Sequence, residues 1–321
     1  MNSEEPTKTI HPWGDERPYN DLPVHFRRIF GLRVQKLAVN AGFTCPNRDG
    51  TVGTGGCTYC NNSGFNPGYC DPGVSVTEQL EQGMAFFDRR YGSPGYLAYF
   101  QAYTNTYGPL EHLKELYNEA LDHPRILGLV IGTRPDCVDA PLLDYFSDLA
   151  KRYYICLEYG LESTRDDTLK RINRGHTWRQ SVDAIIATAG RGIQTGAHMI
   201  IGLPGEEEPD FFNHIGELNR LPLHLVKFHQ LQIVEGTAMA REYHLNPESF
   251  DLFAAGDYID LMIRMLEKLN PGIIVERFVS ESAPGLLIAP KWGLKNFEVV
   301  DRLTAEMKRR GTWQGRLFTP E

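Results

Sequence analysis

The chain has 321 residues, 41% hydrophobic and 23% charged, with a net charge of −8. These values suit a soluble globular protein, and the acidic balance argues against indiscriminate nucleic-acid binding, although a local basic patch is still compatible with RNA. No apolar run reaches the roughly 18 residues that a membrane span needs, and the polar N-terminus lacks the apolar core of a signal peptide, so a cytoplasmic protein with reduced thiols is expected.

Residues 1–32 are aromatic, charged and rich in Pro and Gly, and read as a partly ordered lead-in. Val34–Val39 alternates, reads as a first strand, and runs into CPNRDGTVGTGGCTYC, Cys45 to Cys60. Ser75 and Glu78 form a capping-box pattern that opens a helix to about Arg90. The aromatic strand Tyr96–Gln101, a helix over 109–121 and the buried strand Leu127–Gly132 come next. Asp139 with Pro141 starts another helix, and Tyr153–Tyr159 is a fourth strand. Thr177 and Gln180 repeat the capping-box pattern. Thr195–Ile201 is a fifth strand that ends in Gly202-Leu-Pro-Gly-Glu206. A helix over 209–220 leads to a sixth strand, Leu225–Ile233. Asn246-Pro247 is expected to cap a long helix to about Leu269, before a seventh strand, Ile273–Phe278, and a last helix over 297–310.

Strands and helices alternate, with connections too long for hairpins, which is the pattern of βαβ units and a parallel sheet. The expected fold is α/β: an incomplete (β/α)6–7 TIM-like barrel over 33–280, with the lead-in before it and a helical extension, 281–321, after it. No internal repeat or low-complexity segment interrupts it.

Three of the six cysteines sit in one loop: Cys45, eleven residues, Cys57, two residues, Cys60. Gly50, Gly53, Gly55 and Gly56 let the backbone between them take positive φ and curl round a bulky object. The Cys57–Cys60 pair brings two thiolates to one centre, as iron–sulfur and zinc sites both require. A loop of this kind holds three corners of a four-iron cluster and leaves the fourth iron open.

In a parallel barrel the chemistry gathers at the C-terminal strand ends. Glu158 and Glu162 fall on one side of the fourth strand, and Lys227 and His229 on one side of the sixth. Gln101, Thr133, Arg134 and His198 take comparable late positions. Polar groups ending apolar strands are costly to bury without a partner, so together they point to a polar ligand. The bland reading stands beside each: Glu158 paired with Arg134, His198 as a satisfied core histidine, and Cys156 as an inert core thiol. Cys137 has no nameable partner.

The cysteine loop, with Tyr59 directly before its last cysteine, resembles the radical S-adenosylmethionine superfamily. YFQAYTNTY, GTRPDC, INRGHT and IIGLPGE, with the long Cys45–Cys57 gap, are similar to the branch that holds the Elongator catalytic subunit and its small bacterial relatives. The resemblance spans nearly the whole chain. It implies a [4Fe–4S] cluster on Cys45, Cys57 and Cys60, with Cys70 as the rival to Cys45. S-adenosylmethionine would chelate the open iron and be split reductively to a 5′-deoxyadenosyl radical.

Carried over by position, Tyr59 should touch the adenine, and the backbone at Gln101, Ala102 and Tyr103 should meet the methionyl amine. Glu158 or Glu162 should hold ribose or amine groups, Arg174 the methionyl carboxylate, and Thr133, Ile201 and the GLPGE turn should line the cofactor. The resemblance also implies an electron donor such as flavodoxin or ferredoxin.

The branch further implies tRNA wobble uridine as substrate, with carboxymethylaminomethyluridine processed to aminomethyluridine. No acetyl chemistry in cis is expected, because the barrel leaves no room for an acetyltransferase domain. Lys227 and His229 are the residues assigned to the side-chain carboxylate. Arg27, Arg28, Arg33 and Lys36, and Lys308, Arg309, Arg310 and Arg316, are candidates for phosphate contacts. Two other readings stay in view: a radical enzyme acting on a small metabolite, tetrapyrrole or peptide, and a zinc module closed by Cys45, Cys57, Cys60 and Cys70.

Overall fold

The structure is a computed structural model that describes residues 9–61, 67–91, 95–282 and 285–320. In chain order the elements are α1 (Leu22–Phe30), β1 (Val34–Val39), α2 (Val76–Tyr91), β2 (Gly95–Phe100), α3 (Leu110–Leu121), β3 (Ile126–Thr133), α4 (Ala140–Ala150) and β4 (Tyr154–Glu162). Then come α5 (Asp166–Arg171), α6 (Trp178–Thr188), β5 (Gln194–Ile201), α7 (Glu208–Asn219), β6 (Leu225–Gln230), β7 (Ile233–Val234) and α8 (Ala238–Leu245). The chain ends with α9 (Ala255–Lys268), β8 (Ile274–Arg277), β9 (Leu287–Ala289) and α10 (Asn296–Arg310).

Seven strands form one parallel sheet in the order β1-β2-β3-β4-β5-β6-β8. Among the described residues β8 does not pair with β1, so the expected incomplete barrel is what the chain builds. Alternation explains its two faces. Leu37, Ala98, Leu129, Leu157, Met199 and Phe228 point outward and pack in the main core under the helices. Leu97, Val130, Cys156, Leu225 and Ile274 point inward at the N-terminal strand ends, where Leu22 and Phe26 of α1 close the bottom. Each such side chain, fully buried, stabilises by about 1.5–3 kcal/mol.

Several local expectations are met by a visible cause. The Asp139 side chain accepts from Leu142 N with Pro141 in the first turn of α4, and Thr177 and Gln180 make a reciprocal capping box at α6. Ser75 Oγ accepts from Glu78 N at 3.1 Å at the start of α2.

Two expectations need correction, and a few short elements were not expected. The described part of the lead-in contains α1 and is tied to the far end of the chain: Val275 N donates to Asn20 O, and Gln314 N to Pro18 O. Residues 1–8 of that segment lie outside the described residues. The long helix does not start at Asn246-Pro247. That pair opens only a 3₁₀ turn, Pro247–Ser249, and α9 begins at Ala255. Phe250 and Phe253 explain the delay, because they pack in two different apolar clusters and hold the chain extended between them. The short helices α5 and α8, and the antiparallel pair β7–β9, carried no periodicity long enough to read.

Candidate active site

The cysteine loop is shaped by its own backbone. Arg48 N donates to Cys45 O, Val52 N to Pro46 O, Gly56 N to Asn47 O and Cys60 N to Cys57 O. Gly50, Gly55 and Gly56 have φ of 94°, 79° and 76°, a region that L side chains enter only with strain. Gly53 serves differently: a Cβ there would lie 2.3 Å from Asn47 Oδ1.

The loop is then fastened to the segment between α5 and α6. Thr58 N donates to Ile172 O, Asn173 Nδ2 to Gly56 O, and Asn47 Nδ2 to Asn173 O. This is why INRGHT and the cysteines, over a hundred residues apart, form one unit.

Cys45, Cys57 and Cys60 all line one cavity of about 210 Å³ at the C-terminal strand ends, with Ala102, Thr133 and Arg174 also in its wall. Arg174 Nη1 lies 3.5 Å from Cys57 Sγ, and its Nη2 donates to Gly160 O at 2.6 Å. Burial would lower the Arg174 pKa, but Tyr59, Cys57 and Glu162 raise it well above the ordinary arginine value. Burial pushes the Cys60 thiol up while Arg48 pulls it down. Two non-glycine residues of positive φ line this cavity, Tyr103 at 62° and Glu162 at 69°, and a third, Asn173 at 52°, fastens the cysteine loop. Each such conformation costs about 1–3 kcal/mol and gathers at functional sites.

Several buried polar atoms here have no hydrogen-bond partner: Asn47 Oδ1, Thr104 Oγ1, Asn105 Oδ1 and Arg174 Nε. Such atoms are costly to leave unpaired, and they mark a place built for a polar guest. Three thiols, three arginine side chains and these orphans fit an iron–sulfur cluster with a zwitterionic ligand. Among the described residues, no three His, Cys, Asp or Glu side chains converge on one point as a single ion requires. A cluster instead takes each thiolate at a different iron. Cys70 has another place: its Sγ donates to Ala38 O at 3.2 Å, and burial pushes its pKa up to about 12. It does not line the cavity at which Cys45, Cys57 and Cys60 gather.

A larger cavity of about 700 Å³ adjoins the first and shares Tyr59, Cys60, Gln101, Ala102, Glu162 and His198 with it. In its wall is a ring of alternating charge. Glu158 meets Lys36 at 2.7 Å and Lys227 at 2.5 Å; Glu276 meets Lys36 at 2.6 Å and Lys227 at 2.9 Å. His198 Nε2 adds a contact to Glu158 at 3.0 Å, and the Lys227 ammonium lies 4.6 Å from the centre of the Tyr99 ring. The ring crosses the unpaired β1–β8 seam, where Lys36 and Glu276 stand in for missing strand pairing. Burial would raise the Glu158 pKa, but Lys227, Lys36 and His198 hold it well below the usual carboxylate range.

The expected residues thus divide. Tyr59, Gln101, Ala102, Tyr103, Thr133, Glu162 and Arg174 line the thiol cavity. Glu158 borders it too, yet its carboxylate is taken by the lysines and not by Arg134, which pairs with Asp136. The Ile201 side chain does not reach either cavity; it faces the helices in the main core, and Ile200 is the cavity-facing neighbour. Lys227, assigned to a substrate carboxylate, is buried in the wall of the larger cavity with its charge met by Glu158 and Glu276. Lys36, expected among the phosphate contacts, is inside the barrel. Arg309, Arg310 and Arg316 pair with Glu306, Asp260 and Glu267, the bland solvated-face arrangement. Cys156 is a fully buried core thiol, and Cys137 lines a separate surface groove, its thiol pushed up to about 12 by burial. Glu276 and Tyr99 were missed. Their signal was a polar group at an inward strand position, the same one that flagged Glu158.

Comparison with known proteins agrees with this geometry. The Radical SAM superfamily matches residues 44–218, and the radical SAM C-terminal domain matches residues 223–309. The chain is 33% identical to protein YtqA of Bacillus subtilis over 94% of each chain. It is 26% identical to Elongator complex protein 3 of Saccharomyces cerevisiae, over 59% of this chain and 33% of that one. Among solved structures, Elp3 of the archaeon Methanocaldococcus infernus superposes with a TM-score of 0.64 at 16% identity, covering 88% of this chain and 64% of that one. Among the described residues no helix is long and apolar enough to cross a membrane.

Proposed function

The chain belongs to the radical SAM superfamily, whose members use a [4Fe–4S] cluster and S-adenosylmethionine, and from that premise we propose that it modifies the C5 side chain of tRNA wobble uridine. The conversion in question takes carboxymethylaminomethyluridine to aminomethyluridine. The observation that carries the reading is the pair of joined cavities, one lined by three thiols and one, about 700 Å³, large enough for a splayed-out nucleoside. The partial likeness to Elongator complex protein 3 supports tRNA as the substrate class.

In this reading Cys45, Cys57 and Cys60 hold the cluster, and Arg174, Tyr59, Glu162, Thr133 and the backbone at 101–103 hold S-adenosylmethionine. When bound and reduced by one electron, from a donor such as flavodoxin or ferredoxin, the pair supplies a 5′-deoxyadenosyl radical able to attack an unactivated C–H bond. The protein's own work is to orient and to exclude. Arg174 is placed by Gly160 O, so its guanidinium is fixed before any ligand arrives. Tyr59 and Gln101 stand in both cavities and set the boundary between cofactor and substrate. The charge ring ties β1 to β8 across the open seam. An anticodon base is unpaired and reaches such a chamber at low unstacking cost.

The test is a nucleoside digest of tRNA from a cell lacking the gene. Accumulated carboxymethylaminomethyluridine and lost aminomethyluridine are expected. Identical digests with and without the gene would overturn the tRNA reading and favour a small-molecule substrate.

A further inference from the structure

We propose that the β6–β8 wall of the larger cavity is a subsite for an anionic group of the substrate, with Arg277 as its cation. The proposal rests on the reading of that cavity as the substrate chamber, and it deepens that reading by naming the chemistry of one end.

Lys36 and Lys227 each touch Glu158 and Glu276, so two positive charges meet two negative ones and the ring has no surplus. Arg277, at the end of β8, is exposed and lines the same cavity. Among the described residues no carboxylate pairs with it and no hydrogen bond uses its guanidinium.

The same cavity is lined by His229, whose Nε2 is buried and has no hydrogen-bond partner. Burial first, then His198, Arg277 and Lys227, holds the His229 pKa well below the usual histidine value, so the ring is neutral and offers one N–H. The nearby amides are already used: Gln230 and Gln232 both bond the backbone of Ser280. Glu281, also in the wall of this cavity, accepts from Asn296 N at 2.6 Å and makes no ion pair with Arg277 among the described residues.

A guanidinium and an unspent imidazole N–H on one wall make a two-point grip for a carboxylate or a phosphate oxygen pair. A neutral acceptor could pair with the His229 N–H, but it would leave the Arg277 charge unmet, so the guanidinium carries the preference for an anion. Carboxylate and phosphate share this chemistry, and the probes separate them.

Binding to the reconstituted protein is measured by calorimetry with 5-carboxymethylaminomethyluridine, its neutral methyl ester, and uridine 5′-phosphate. The wild type should prefer the acid to the ester by about tenfold or more. Arg277→Ala should erase that preference while leaving ester binding and the melting temperature unchanged, and Arg277→Lys should keep part of it. A preference confined to uridine 5′-phosphate and lost in Arg277→Ala supports the subsite and assigns it to phosphate. Equal loss for acid and ester, or no anion preference for any probe, overturns the proposal. Protection of Arg277 from phenylglyoxal by succinate or inorganic phosphate, read by peptide mass spectrometry, needs no uridine. Protection alongside unchanged tRNA digests supports the subsite and faults only the substrate; absent protection overturns the subsite.

Discussion

The thiol cavity and the charge ring sit on the same strands and share a border at Glu158 and His198, yet they are built on opposite plans. Around the thiols, Asn47, Thr104, Asn105 and Arg174 keep buried atoms without partners, and three side chains hold positive φ. In the ring, Glu158, Glu276, Lys36 and Lys227 each have two oppositely charged neighbours. Unmet bonding capacity in a dry place marks a region that is completed by a ligand. Capacity met internally marks a region that is finished on folding. The same residue types, charged and polar at inward strand positions, therefore do different work a few ångströms apart, and only the pairing tells which.

The largest expected effect breaks the first region alone. Cys45→Ala, Cys57→Ala and Cys60→Ala should each abolish the intact cluster, taking iron after anaerobic reconstitution from about four per chain toward background. Cys70→Ala and Cys156→Ala should keep it, because those thiols point to Ala38 O and into the apolar floor. Iron analysis with visible absorption decides the point; loss in Cys70→Ala with retention in Cys45→Ala would reverse the ligand assignment.

Breaking the second region should cost stability instead. Glu158→Gln leaves two buried lysines short of a counter-charge, and removing one partner of a buried pair destabilises by about 3–5 kcal/mol. The pH dependence has a definite sign. The depressed pKa of Glu158 makes its contribution complete above the ordinary glutamate value and lost as pH falls through the still lower folded value. The lysine values are raised, so their contribution is complete below the ordinary lysine value and lost only above it. The penalty of Glu158→Gln, from urea unfolding, should therefore be flat from pH 6 to 9. A slope in that window would mean that the ring is not fully charged.

The two regions were also unequally legible in the sequence. The cysteine loop is local: its thiols and glycines lie within sixteen residues, so spacing alone revealed a cluster-binding shape. The barrel was legible because period-two strands and capped helices alternate in order. The ring was not, because its members come from β1, β4, β6 and β8 and their pairing depends on sheet order and register. Lys36 was read as a candidate phosphate contact for want of that register, although strand alternation already put it on the face opposite to Leu37. Ile201 failed for a related reason: a shift of one residue moves a strand side chain to the other face.

A smaller effect separates ligand binding from iron. Arg174→Gln removes a charged donor beside Cys57 and should weaken S-adenosylmethionine binding about tenfold or more while iron content stays constant. Equal loss of iron and affinity would make Arg174 a part of the loop scaffold.

The smallest effect is expected at the border. His198 lines both cavities, donates through Nε2 to the Glu158 carboxylate across 3.0 Å, and lies 5.6 Å from the His229 ring. If it belongs to the ring, His198→Gln should be nearly silent, since the amide can still reach Glu158 and the two lysines remain. A loss of about 1 kcal/mol or less is expected in urea unfolding. If it belongs to the thiol cavity, the same change should alter S-adenosylmethionine affinity with stability untouched. The geometry favours the first outcome, because the carboxylate it touches is already the most heavily bonded in the chamber. Measuring both quantities on one variant places the boundary between the two plans at a single side chain.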